Sequence, residues 1–99
     1  MAIFLVFRQM HGITRDQYAA AQQAVADAAG EVSSRSRAVR YLGGFFVPDG
    51  KRAICIFDAP STTDIIAVNE QAGVPFSEVF RAIEMRPRIT AYWGQAEHE

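Results

Sequence analysis

The residues best equipped for chemistry in this 99-residue chain are one cysteine, Cys55, and two histidines, His11 and His98. Thiolate and imidazole are donors that nickel and zinc accept together, and a nucleophilic thiolate needs a neighbour that lowers its pKa. His11 and Cys55 are therefore the metal candidates, although a metal site asks for about three or four protein ligands. Cys55 shares its strand face with Ala53 and Phe57, while Ile54, Ile56 and Asp58 point the other way. It reads first as a small core hydrophobe and second as a thiolate ligand or nucleophile. His11 lies just after the first strand, where it is exposed and orders a loop or, alternatively, acts as a ligand. His98 stands between Glu97 and Glu99 in a polar tail expected to fray.

A second constellation is built from charge within apolar runs. Arg8 ends the run Ile3-Phe4-Leu5-Val6-Phe7, and a buried guanidinium calls for a carboxylate, with Glu84 or Glu78 as the nearest expected partners. If Arg8, Tyr41, Cys55 and Glu84 all line the open face of a sheet, they outline a pocket for a small polar ligand. No residue is assigned a catalytic role. Gly43-Gly44 is followed by a strand, so it is no phosphate-cradling loop, and none of the serines sits in a glycine-flanked nucleophile turn. Trp93, Tyr92 and Phe80 are aromatics of the kind that complete an interface.

Composition narrows the classes. Ninety-nine residues, 49% of them hydrophobic, suffice for one domain over 1–90 with a polar C-terminal tail over 91–99. A net charge of −1 offers no excess with which to neutralise phosphates, which argues against nucleic acid and against a membrane surface as partner. The apolar run Ala2 to Phe7 is too short for a signal peptide or a span. A single cysteine cannot form an internal disulfide, and the expected location is cytoplasmic.

The elements that position these residues follow from pattern. Ile3 to Phe7 is apolar on both alternating faces and reads as a central strand. Thr14 and Gln17 form a capping box spanned by an Ile13–Tyr18 staple, so a helix begins at about Arg15, with Tyr18, Ala21, Val25, Ala28 and Val32 as its inner stripe. Gly30 either ends that helix or only weakens it. Val39 to Val47 and Arg52 to Phe57 form a hairpin about the turn Pro48-Asp49-Gly50-Lys51, and Gly43-Gly44 marks a bulge or a close approach. Ser61 and Asp64 cap a second helix that Gly73 and Pro75 end, and Glu78 to Ile89 alternates as a long last strand.

The order strand, helix, strand, strand, helix, strand is that of an α+β, ferredoxin-like βαββαβ sandwich, a four-stranded antiparallel sheet with two helices on one face. The other face has no element of this chain to cover it, yet Phe4, Val6, Phe45, Phe46, Ile54, Ile56, Phe57 and Phe80 must be distributed over the two sides. A homodimer packed sheet to sheet is the expected solution.

Four segments, Ile3-Phe4-Leu5-Val6-Phe7-Arg8, Gly12-Ile13-Thr14, Cys55-Ile56-Phe57-Asp58-Ala59-Pro60 and Ala72-Gly73-Val74-Pro75, resemble in order and spacing a bacterial family of unknown function described as nickel-binding-like. The resemblance covers Ile3 to about Arg86 and implies a homodimer of the dimeric α/β-barrel kind, with a divalent metal such as nickel, or a small ligand, as its cargo. Members often carry histidine in the second helix shortly before the Ala-Gly-x-Pro exit, where this chain reads Val68-Asn69-Glu70-Gln71. Two other readings stand beside this one: a cofactor-independent monooxygenase, isomerase or cyclase of the same barrel kind, and a dimerisation or accessory module.

Overall fold

The computed structural model describes residues 2–34, 38–49 and 51–87. The chain runs β1 (Ala2–Gln9), α1 (Arg15–Ser34), β2 (Arg40–Val47), β3 (Arg52–Ala59), α2 (Thr62–Ala72) and β4 (Glu78–Ala82). All pairings are antiparallel and the sheet order is β2-β3-β1-β4, so the first strand of the sequence is central, as its doubly apolar pattern predicts.

Local chemistry sets the helix ends. The Thr14 amide donates to Gln17 Oε1 at 2.8 Å and the Gln17 amide donates to Thr14 Oγ1 at 3.1 Å, which completes the capping box. At α2 the Asp64 amide donates to Ser61 Oγ, whose hydroxyl in turn donates to the Asp64 carboxylate. Gly73 is left-handed (φ 71°), its amide donating to the carbonyls of Asn69 and Glu70 while Val74 donates to Asn69, the paired bonds of a Schellman end. Gly30 falls inside α1 and does not end it.

One expectation changes at the strand ends. The last strand stops at Ala82 rather than running towards Ile89; Ala82 already pairs with Ile3, one residue from the start of β1 at Ala2. Residues 88 and 89, like the tail and His98, lie outside the described residues. In the hairpin, Lys51 carries a positive φ of 54° and its amide donates to Pro48 across the turn.

The two faces of the sheet differ sharply. Phe4, Val6, Cys55 and Phe57 turn towards the helices and pack with Val25, Ala28, Val32, Ile65 and Val68 into the main core. Phe46 also points inward, stacked on Tyr18 with ring centroids 5.0 Å apart. The opposite face carries Phe45, Ile54, Ile56 and Phe80 together with Leu42, Val47 and the odd-numbered residues of β1. Leu42, Phe45, Val47 and Phe80 are all exposed there, Phe45 at 64%. No described helix is long and apolar enough to cross a membrane.

Candidate functional site

The helix-covered side of the sheet holds a small polar cluster. Tyr41 faces inward because it stands opposite Phe57, and its hydroxyl lies 4.0 Å from Cys55 Sγ. Gln22 of α1 donates to that same hydroxyl at 2.7 Å. Tyr18, from the first turn of α1, is buried beside them, and its hydroxyl has no hydrogen-bond partner among the described residues. Burial pushes the Tyr18 phenol up, with Cys55 the next largest cause. Burial likewise drives the Tyr41 phenol far above its ordinary range; Cys55 adds to the rise and the Gln22 hydrogen bond opposes it. Both phenols are therefore neutral hydrogen-bonding groups at physiological pH.

Gly44 makes this arrangement possible. A Cβ there would stand 2.5 Å from the Ile54 carbonyl oxygen and 2.9 Å from the Tyr18 hydroxyl, so only glycine lets β2 and α1 approach so closely. The bulge lies one residue earlier, between Tyr41 and Gly43, where Gly43 has φ 119°. The glycine pair thus supplies both the bulge and the close approach.

Arg8 shares the inward face with Cys55 but makes other bonds. Its guanidinium, 1% exposed, donates to Oδ1 of Asn69 and to the carbonyls of Val74 at 3.3 Å and Pro75 at 3.1 Å. Asn69 is itself fixed, donating from Nδ2 to the Ile65 carbonyl at 2.7 Å. The expected carboxylate partner is thus replaced by neutral acceptors. Glu84 is exposed and takes two bonds from Arg86, at 2.9 and 2.5 Å, while Glu78 stands opposite Phe7 on the open face. A guanidinium suits this place because the carbonyl-rich end of a helix favours a cation and presents several acceptors at once.

The four residues expected to form one pocket are accordingly divided by the sheet. Arg8, Tyr41 and Cys55 lie beneath the helices; Glu84 lies on the open face, at the lip of a groove of about 370 Å³ walled by Ile3, Leu5, Leu42, Ile56 and Ile83. The metal candidates are separated as well. Cys55 is opposite Val6, and three further residues of strand carry the chain about 10 Å along before β1 even ends. His11 lies beyond that end and is exposed, whereas Cys55 is buried. Among the described residues no group of three or more histidine, cysteine, aspartate or glutamate side chains is placed to hold a metal ion. The donors among the described residues therefore do not fit a nickel site centred on His11 and Cys55.

Known proteins share this architecture. A family model described as nickel responsive protein SCO4226-like matches residues 4–81. The chain belongs to that family. The crystal structure of SCO4226 from Streptomyces coelicolor A3(2) superposes with a TM-score of 0.74 at 26% identity, over 86% of this chain and 100% of that one. No curated protein matches. Within this member of the SCO4226-like family, sequence reasoning overlooks Gln22 and Asn69 as site residues and treats Tyr18 only as part of a helix stripe. Asn69 carried a signal: a polar residue at the core-facing spacing of α2, four residues after Ile65.

Proposed function

We propose that the chain serves the nickel-linked role of its family as a cytoplasmic homodimer, with the open sheet face of one copy buried against that of another. One observation carries this reading: Leu42, Phe45, Val47 and Phe80 are exposed together on a single face, continued by Ile83. Four strands about 4.8 Å apart and up to about eight residues long at about 3.3 Å each span roughly 500 Å² in projection, before side-chain relief is counted. That approaches the roughly 800 Å² per partner of a specific interface. An apolar patch of this size with a polar rim is what subunit contacts cover.

The dimer also encloses the groove beside Ile3, Leu5 and Ile56, which gives it a compartment for a small ligand. Light scattering at micromolar concentration is expected to give twice the chain mass, falling to one chain mass for Phe45→Asp with an unchanged circular dichroism spectrum. A parent protein with the mass of one chain sinks the proposal. Metal analysis of untagged protein, with Cys55→Ala and His11→Ala beside the parent, tests the nickel link separately: nickel retained by both variants agrees with donors other than this pair.

A further inference from the structure

On the helix-covered side, and independent of what covers the open face, we propose that Cys55 is oxidised by a hydroperoxide to a sulfenic acid whose new oxygen is held by the Tyr18 and Tyr41 hydroxyls. The donors are in place before the oxygen is. Tyr18 is only 7% exposed, yet its hydroxyl has no hydrogen-bond partner among the described residues. It points into the cluster, standing 2.9 Å from the position a Gly44 Cβ would take, which is itself 3.3 Å from Cys55 Cα. It is also near enough to the thiol for Cys55 to raise its pKa. The Tyr41 hydroxyl accepts from Gln22 and aims its own hydrogen at Cys55 Sγ, 4.0 Å away. A thiol sulfur is a weak acceptor and a sulfenic oxygen a good one, so the two phenols lack a strong acceptor only while Cys55 is reduced. An oxygen bonded to Sγ on that side comes within the about 2.7 Å of an O–H···O bond from Tyr41.

Charge and access favour the same step. Arg8, on the same inward face, is a buried cation that no carboxylate offsets among the described residues, and its charge is felt at the Tyr18 hydroxyl. An electron-rich oxygen is stabilised beside it. Gln22 and Tyr41 are half-buried and lead from the seam between α1 and β2 to the thiol. The oxidant such an entrance calls for is uncharged and little larger than water, as hydrogen peroxide is. In the reaction the thiol gives up its proton and its sulfur attacks one peroxide oxygen. The S–O bond forms as the O–O bond breaks, and the departing hydroxide takes that proton away as water. Sulfur is oxidised and the peroxide is reduced. The chain has no second cysteine to condense with, so a small external thiol restores Cys55 through a mixed disulfide, releasing water.

Trapping the sulfenic acid tests the site. Native protein is exposed to hydrogen peroxide, quenched with catalase and unfolded in urea with dimedone, and the adduct is read by intact mass, with Cys55→Ala as the blank for methionine oxidation. The native-to-unfolded ratio of oxidation rates is expected to exceed the same ratio for N-ethylmaleimide by at least about tenfold, because peroxide does not wait for the protein to open. Tyr18→Phe, whose reduced form is expected to melt no lower than the parent, should retain roughly tenfold less sulfenic acid, the loss of one hydrogen bond. Equal ratios for the two reagents overturn oxidation in the folded state. Equal sulfenic acid in the parent and Tyr18→Phe overturns the part given to the hydroxyl, and a parent without adduct overturns the whole. The rate ratio is measured on the parent alone, so it decides whether or not Tyr18→Phe folds.

Discussion

Arg8 on the first strand donates a hydrogen bond to the Asn69 side chain near the end of the second helix, across 61 positions of sequence, and both residues are 1% exposed. Asn69, itself held by the Ile65 carbonyl, thus serves as a structural clamp between α2 and β1. Arg8→Met keeps much of the volume but leaves Asn69 Oδ1 and two carbonyls without donors. It is expected to cost about 3 kcal/mol in urea unfolding, the loss from several unsatisfied acceptors being partly offset by removal of a buried charge. Asn69→Leu keeps the charge and removes its best acceptor, and is expected to cost at least as much. Near-parental stability of either variant would show that the clamp contributes little.

Two glycines give opposite expectations for the same substitution. Gly44→Ala drives a methyl into the Ile54 carbonyl, which is backbone and cannot step aside, so a loss of about 2 kcal/mol or more is expected. Gly30 sits within α1 with no atom near its Cβ position, and Gly30→Ala is expected to stabilise by about 0.5 to 1 kcal/mol. Thermal melts of the two variants bracket the parent if both contacts are as described.

The unpartnered Tyr18 hydroxyl predicts that Tyr18→Phe is neutral or stabilising by up to about 1 kcal/mol, since it removes a buried group that has no bond to lose. Tyr41→Phe should do the reverse, because it strands the Gln22 amide that donates to it at 2.7 Å. A Tyr18→Phe variant clearly weaker than the parent would mean that the hydroxyl has a partner after all.

Alkaline pH should unfold this protein through the same pair. Both phenols have folded pKa values above their unfolded value, so between the two values the folded state keeps protons that the unfolded state has released. Stability is thus complete below about pH 10, the ordinary tyrosine value, and declines as pH rises beyond it. Urea midpoints measured from pH 8 to 11 check this, and Tyr41→Phe should flatten the decline.

Cys55 is buried beneath the helices, so an aqueous thiol reagent should label it only as fast as the protein opens. Rapid stoichiometric labelling of the native protein, at the rate found in urea, would contradict that placement.

The fold was legible because its signals are local. Thr14 with Gln17, Ser61 with Asp64 and Gly73 before Pro75 mark helix ends within four residues, and doubly apolar β1 announces a central strand. The site was less legible because it depends on which side of the sheet each residue takes. Arg8 reads as a residue in need of a carboxylate, yet helix-end carbonyls distant in sequence solve the same problem, and nothing near Arg8 in the chain encodes them. Glu84 is the one of the four that reaches the open face, although β4 itself ends at Ala82, while Arg8, Tyr41 and Cys55 take the helix-covered side. Tyr18 looks like one more member of an apolar stripe, and its stacking on Phe46 and its approach to Gly44 need the three-dimensional crossing of α1 over β2.

The central position of β1 sets an order of events during synthesis. Of the four strands this one leaves the ribosome first; both of its neighbours, β3 and β4, come later, and the acceptors for Arg8 come with Asn69, Val74 and Pro75. Ser77 then locks to the Phe7 carbonyl at 2.8 Å, joining the start of β4 to the end of β1. An apolar strand with two open edges therefore waits unpaired until β3 and β4 have been made. The nascent chain is most exposed to misassociation before its last twenty or so described residues emerge, and folding should complete in a late, concerted step rather than grow from the N-terminus.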